Sequence, residues 1–432
     1  MLLRFEAANY RSILEPVELS MIAVDQDRAA TRGFELLTER VLTVAGIYGP
    51  NASGKSNVIE ALVWLSTAVG RSLRTWDLFV PREPFKFGPG LGTPSIHEVE
   101  MVVRDVRYAY RVEVDDAEVL FEGLYSYPER RRRVLFEREG PELHLRRGLG
   151  ALAGTRELLT PTTLALSAAM RFDDSEVAPF GRQLSRIQVL GARRRAPWRK
   201  QPASLSEAGG LSLTERLFDR PGSWLQPALF DDEELVDPYG RESALALLRF
   251  ADLGIDDVQV IDEGEDTARV SPSRRRLQLI HRAGEQQVPF DLTEESAGTQ
   301  TWFALIGPAL SALRHGQVLL FDEIDASLHP RLSARLLELF QDPKTNPRNA
   351  QLIFTTHDTS LLNCLNRDEV WLTEKAGDGA TSLTALAEYG GDKVRRSLNL
   401  ERAYLQGRFG AVPELDQQAL RRALGLEPSD AG

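Results

Sequence analysis

The stretch Gly49-Pro50-Asn51-Ala52-Ser53-Gly54-Lys55-Ser56 carries two glycines, a lysine and a serine at the spacing of a phosphate-binding loop. The apolar run Val41 to Tyr48 before it is rich in β-branched residues and predicts a strand. After it, Val58, Ala61, Leu62, Leu65, Ala68, Val69 and Leu73 recur at three- and four-residue spacing and predict a helix with one apolar face. Strand, loop and helix are the context that such a loop needs. Glycine lets the backbone turn until several N–H groups point inward at phosphate, and the helix N-terminus adds the positive end of its dipole. In that arrangement Lys55 reaches the β- and γ-phosphates of a nucleotide and the Ser56 hydroxyl holds Mg²⁺.

Three later stretches complete a site around this loop. Val318-Leu319-Leu320-Phe321-Asp322-Glu323 is an apolar strand ending in two acids. A buried parallel strand delivers Asp322 to the Mg²⁺ shell, and Glu323 is then placed to accept a proton from an attacking water. Leu352-Ile353-Phe354 is a second short apolar strand, followed by Thr355-Thr356-His357-Asp358. On a neighbouring strand His357 comes to the γ-phosphate. Glu294-Glu295-Ser296-Ala297-Gly298-Thr299-Gln300 precedes the apolar stretch Trp302 to Leu313, which predicts a buried helix. Ser296 and Gly298 at its start read as a second anion-binding terminus or as a plain helix cap. One nucleotide does not need two such termini. Two identical chains head to tail could use one each, with ATP between them.

The 432 residues are 42% hydrophobic and 27% charged, which excludes a largely disordered chain. The single cysteine, Cys364, excludes an internal disulfide framework. No apolar run reaches the ~20 residues of a membrane span, and the N-terminus lacks a signal-peptide pattern. A cytoplasmic protein without a membrane partner is the expectation. Residues 97 to 138 alternate apolar and polar and predict half-exposed antiparallel strands. From about 150 to 255 the pattern is helical and broken by prolines. Strand and helix alternate in the last third, which favours a mainly parallel sheet. The expected organisation is residues 1–125 as the N-terminal part of the nucleotide-binding unit, 126–245 as a mostly helical insertion and 246–432 as the rest of that unit.

The net charge of -11 argues against coating nucleic acid by bulk electrostatics. A local groove stays open. Arg193, Arg194, Arg195, Arg199 and Lys200 form a basic stretch with Trp198 inside it and no acid between. Such a segment can track DNA phosphates and stack a base. With this net charge a solvated face is the favoured reading of it.

In their order along the chain these motifs resemble ATP-binding-cassette-type ATPase heads, and more closely those of the SMC, RecF and OLD-like branch. Gly49, Asn51, Gly54, Lys55, Ser56 and Asn57 are similar to the GPNxxGKSN Walker A of that branch. Asn9-Tyr10-Arg11-Ser12 resembles its N-terminal turn, which implies Arg11 near the nucleotide. Ser296-Ala297-Gly298-Thr299 looks like the signature motif, Asp322-Glu323 like Walker B, Ile324-Asp325-Ala326-Ser327-Leu328-His329-Pro330 like the D-loop, and His357 like the switch histidine.

The resemblance implies an α/β fold: a P-loop NTPase head, ABC- and SMC-like, with an antiparallel β lobe and a helical insertion. It implies ATP and Mg²⁺ as cofactors, ATP hydrolysis, and a homodimer or higher oligomer. Ala251-Asp252-Leu253-Gly254-Ile255 and the stretch Tyr404 to Pro413 look like ATPases of bacterial abortive-infection and anti-phage operons. Those ATPases work with a separately encoded effector, often a TOPRIM-type nuclease. The stretch after His357 is too short to hold such a domain of ~100 residues itself. The rival expectation is a RecF- or SMC-like DNA-repair clamp that grips DNA on ATP-driven dimerisation. A slow ATPase that sequesters a toxin is a third. The chain departs from the family in two respects. No glutamine stands between Lys86 and Val103 to serve as a Q-loop, and the long heptads of SMC arms are absent.

Overall fold

The computed structural model of the chain describes residues 1–35, 37–149, 154–172, 176–191, 212–218, 240–252, 254–262, 275–326, 328–389, 399–411, 421 and 424. A six-stranded sheet runs in the order Gln188–Leu190, Val318–Phe321, Gln351–Thr355, Val44–Tyr48, Val370–Lys375, Thr381–Ala385. The first five strands are parallel and the last is an antiparallel edge. Val318–Phe321, Gln351–Thr355 and Val44–Tyr48 are buried along their whole length. That is why they read as continuous apolar runs rather than alternating ones. Pairing of Phe321 with Phe354, and of Phe354 with Gly46, sets the C-terminal ends of the three strands side by side.

A seven-stranded antiparallel sheet faces them, in the order Glu142–Leu145, Arg133–Glu139, Val119–Tyr127, Val106–Val114, Ser95–Val103, Leu2–Ala8, Val17–Ser20. The antiparallel ladder therefore runs on past residue 125 to Leu145. Pairing of Phe121 with Glu139 and burial of Leu135 and Phe136 bind the extra strands to it. Arg138, 1% exposed, fastens the ladder to the following chain through the carbonyls of Gly140, Thr160 and Pro161.

The helix Lys55–Thr75 lies between the two sheets. Its Val58, Ala61, Leu62, Leu65, Ala68 and Val69 are buried, and Leu73 is half-buried. One core joins Trp64 and Leu65 to Phe5, Val99 and Tyr110 of the antiparallel sheet and to Val318, Leu320 and Ile353 of the parallel one. The alternate residues Leu319, Phe321, Leu352 and Phe354 belong to a second core with the helices Ala297–His315 and Pro330–Gln341. Each large side chain so buried contributes about 1.5–3 kcal/mol.

Between 150 and 245 the described residues form the short helices Thr155–Leu158, Ala165–Ala169, Ala178–Ser185 and Leu213–Phe218. They also include one strand, Gln188–Leu190, which joins the parallel sheet and is not evident from the sequence pattern. The helix Gly240–Ala251 leads into a three-stranded antiparallel sheet, Ile255–Asp262, Arg275–Ala283 and Gln286–Asp291. Among the described residues no helix is long and apolar enough to cross a membrane.

Candidate nucleotide site

The loop between Tyr48 and Lys55 is shaped by positive φ angles at Gly49 (151°), Ala52 (63°) and Gly54 (106°). At Gly54 a side chain is barred twice. The φ is in the left-handed region, and a Cβ would run into the side chain of Thr381. Two threonines from strands beyond the loop clamp it. The Thr373 hydroxyl donates to Tyr48 O at 3.1 Å and lies 2.6 Å from Ser53 Oγ. The Thr381 hydroxyl donates to Ser53 O at 2.8 Å. Lys55 is 6% exposed, and its ammonium donates to Gly49 O at 2.9 Å and Pro50 O at 3.0 Å. Burial lowers its pKa to about 8, against the opposing pull of Asp322, Asp325 and Glu323. Asn51 and Ala52, at the crest of the loop, are exposed.

The neighbouring strand brings Asp322 to the loop. Asp322 Oδ1 accepts from Ser56 Oγ at 3.0 Å and from Thr355 Oγ1 at 2.5 Å. Its Oδ2 is buried and has no hydrogen-bond partner among the described residues. An orphaned buried carboxylate oxygen beside a serine hydroxyl fits an oxygen-seeking cation such as Mg²⁺. Glu323, the next residue, has φ 55° and donates its backbone N–H to Thr355 Oγ1 at 2.7 Å. Thr355 thus holds both acids, which the sequence does not single out for that task. Asp325 accepts from Thr356 Oγ1 at 2.7 Å and from the N–H of His357 at 3.2 Å, so it ties the stretch after Asp322 to the stretch holding His357. The His357 ring is exposed. Its pKa is lowered first by partial burial and then by Lys55, while Asp325, Glu323 and Asp322 pull it upward. Five of the expected residues, Lys55, Asp322, Glu323, Asp325 and His357, therefore share one electrostatic neighbourhood.

The others lie at different distances from this centre. Asn57 donates to Ser12 Oγ at 2.5 Å, which brings the Asn9–Ser12 turn against the start of the helix. Arg11 is at that turn, but its guanidinium is bound to Glu83 at 2.8 and 3.1 Å and also meets Glu60 of the helix. Ser296 is exposed and caps the helix Ala297–His315, accepting from Thr299 N at 3.1 Å. Among the described residues it makes no hydrogen bond to the loop of its own chain, and Gly298 beside it is half-buried. Arg193, Arg194, Arg195, Arg199 and Lys200 lie outside the described residues.

A glycine loop opening a helix, a buried lysine and an acid-ended parallel strand beside it define the class: a P-loop nucleotide-binding ATPase. The profile of the family described as "AAA domain, putative AbiEii toxin, Type IV TA system" matches residues 44–363, and the chain belongs to that family. No curated protein matches the sequence. Among solved structures the chain is similar to SMC heads. One, bound to the C-winged helix domain of ScpA, is 14% identical with a TM-score of 0.44 over 89% of this chain and 97% of that one. The SMC head domain from Thermotoga maritima is 12% identical with a TM-score of 0.39 over 89% and 98%. An SMC head with an extended coiled coil, bound to the C-terminal domain of ScpA derived from Pyrococcus furiosus, is 13% identical with a TM-score of 0.44 over 90% and 97%.

Proposed function

We propose that this ATPase binds MgATP at Gly49–Asn57 and hydrolyses it across a head-to-tail dimer. We assign it the role of ATPase or sensor subunit in an abortive-infection type defence system, controlling a separate effector. The observation that carries the chemistry is the Asp322–Glu323 pair locked by Thr355 beside Ser56. Lys55 leaves the loop carbonyls to meet the β- and γ-phosphates. Ser56 and Asp322 would hold Mg²⁺, which when bound would supply positive charge beside the phosphate oxygens. Water attacks the γ-phosphorus as its bond to the bridging oxygen breaks, and Glu323 takes the proton of that water. His357, kept in its neutral form by burial and by Lys55, donates one N–H to a γ-phosphate oxygen. The division proposed for the chain is residues 1–125 and 246–432 as the head around a mostly helical insertion at 126–245, with the strands to Leu145 extending the antiparallel lobe and Gln188–Leu190 adding to the parallel sheet.

The dimer rests on Ser296. It stands exposed at the N-terminus of a 19-residue helix and bonds within its own turn. Such a terminus suits the phosphate held by a second copy, with the contact returned by two-fold symmetry. The defence role is supported by the family's description, which names an AbiEii toxin.

Mixing two inactive variants tests the composite site. Lys55→Ala removes the phosphate cation and Ser296→Arg blocks the signature turn. Each mixed dimer has one site with both lesions and one with neither. Phosphate release should therefore return on mixing, towards a quarter to a half of the wild-type rate per dimer if one intact site turns over. A mixture as inactive as its parts contradicts the shared site.

A further inference from the structure

The sheet before the signature turn ends in a cluster that the nucleotide site does not use. The helix Gly240–Ala251 lays Leu245 and Leu248 in the same core as Leu279. His281, two residues on in the strand Arg275–Ala283, shares the face of Leu279. Just past the end of the helix stands Asp252. Glu295 closes the third side, one residue before Ser296. One oxygen of Asp252, one oxygen of Glu295 and one ring nitrogen of His281 lie within 4.8 Å of one another. His281 Nε2 is 2.7 Å from Glu295 Oε1, and the Phe290 ring stands edge-on to the imidazole at 5.1 Å. The Gly254 N–H donates to Asp252 Oδ1 at 2.9 Å and steadies that carboxylate.

His281 is the one basic side chain that pairs with this cluster among the described residues. The side chains of Glu295 and His281 are 9% and 23% exposed. Among the described residues no lysine or arginine pairs with Asp252 or Glu295. The arginines nearby in sequence are committed elsewhere: Arg249 and Arg282 to Asp256, and Arg276 to Asp291. Two half-buried carboxylates that converge with one imidazole, and have no lysine or arginine partner among the described residues, suit a bound cation.

The geometry points to a divalent transition-metal site at Asp252, His281 and Glu295, with Zn²⁺ as the occupant and water in a fourth position. An imidazole with two carboxylates suits Zn²⁺, whereas Mg²⁺ and Ca²⁺ seek six or more oxygens. Zinc ligands at about 2.0–2.2 Å from the ion stand roughly 3.3 Å apart in a tetrahedron. His281 and Glu295, now at hydrogen-bond distance, would open by roughly half an ångström and exchange that bond for the ion, and Asp252 at the end of its helix would close in from within 4.8 Å. The ion would link the helix end, the strand and the residue that leads into Ser296. Its occupancy would then set how firmly the signature turn is held. Binding of the metal does not depend on the proposed hydrolysis and is read separately from it.

The test uses the full chain stripped of metal with a chelator, in excess Mg²⁺ to occupy the oxygens of Ser56 and Asp322. Titration with Co²⁺ should give one equivalent of bound ion with visible absorbance of a four-coordinate site, displaced by Zn²⁺. Zn²⁺ should also raise the melting temperature. His281→Gln and Asp252→Asn should each weaken uptake at least ~10-fold and lose the melting shift. Each variant is scored after circular dichroism matches the metal-free wild type, and one folded variant is enough to decide. Absence of saturable Co²⁺ uptake by the wild type, or equal uptake by a folded variant, overturns the site.

Discussion

Lys55 works against its own charge. Burial lowers its pKa from 10.5 to about 8, so the nucleotide-free fold releases this proton before the unfolded chain does. Between those two values the unfolded state binds more protons, and this lysine makes the free protein more stable as pH rises. ATP needs the ammonium, so the effect on binding has the opposite sign. The Kd for ATP should be flat below about pH 8 and rise by up to about tenfold per unit above it. Calorimetric titrations from about pH 7 to about pH 9.5 check this, and an unchanged Kd across the range contradicts it. Lys55→Ala should abolish binding at every pH. Glu323 has a separate task. Glu323→Gln should keep ATP binding and slow hydrolysis by at least ~100-fold, the scale for losing a general base. Equal turnover in the two proteins removes the assignment.

Among the elements, the loop is held from outside as much as by its own glycines. Thr373 and Thr381 bond Tyr48 and Ser53, residues more than three hundred positions earlier in the chain. Thr381→Val removes one such bond at a cost of about 1 kcal/mol, and the Kd for ATP should rise about fivefold. Gly54→Ala should cost more, because it adds the strain of φ 106° to the clash with Thr381. Combining it with Thr381→Ala should recover only part of the loss. Full recovery would show that space, not φ, decides the residue at 54.

These clamps were not legible in the sequence. A threonine in a strand has no signal that names a partner in another strand, and only the strand order sets the two together. The loop itself was legible, because glycine, lysine and serine spacing is local and its strand and helix flank it directly. The helix Ala297–His315 was legible from its apolar content. The ladder to Leu145 was half-legible. Its alternation reads to residue 138, but only the pairing with Val119–Tyr127 tells lobe from insertion. Arg11 shows the same limit: the turn that carries it was evident, while its capture by Glu83 and Glu60 was not.

At the scale of the whole molecule, the parallel sheet presents Lys55, Asp322, Glu323 and His357 past the C-terminal ends of its inner strands, and Ser296 faces solvent at the start of another helix. In the proposed dimer a second copy joins them, with ATP as part of the interface. The γ-phosphate then supplies the free-energy difference between associated and separate chains. Sedimentation velocity of Glu323→Gln with ATP, with ADP and without nucleotide measures this directly. The expected result is a dimer with ATP, less association in the other two states, and loss of the ATP-dependent dimer when Ser296→Arg is added while ATP still binds. The same mass in all three states, with Ser296→Arg making no difference, would contradict the composite site and leave Ser296 as the cap of its own helix.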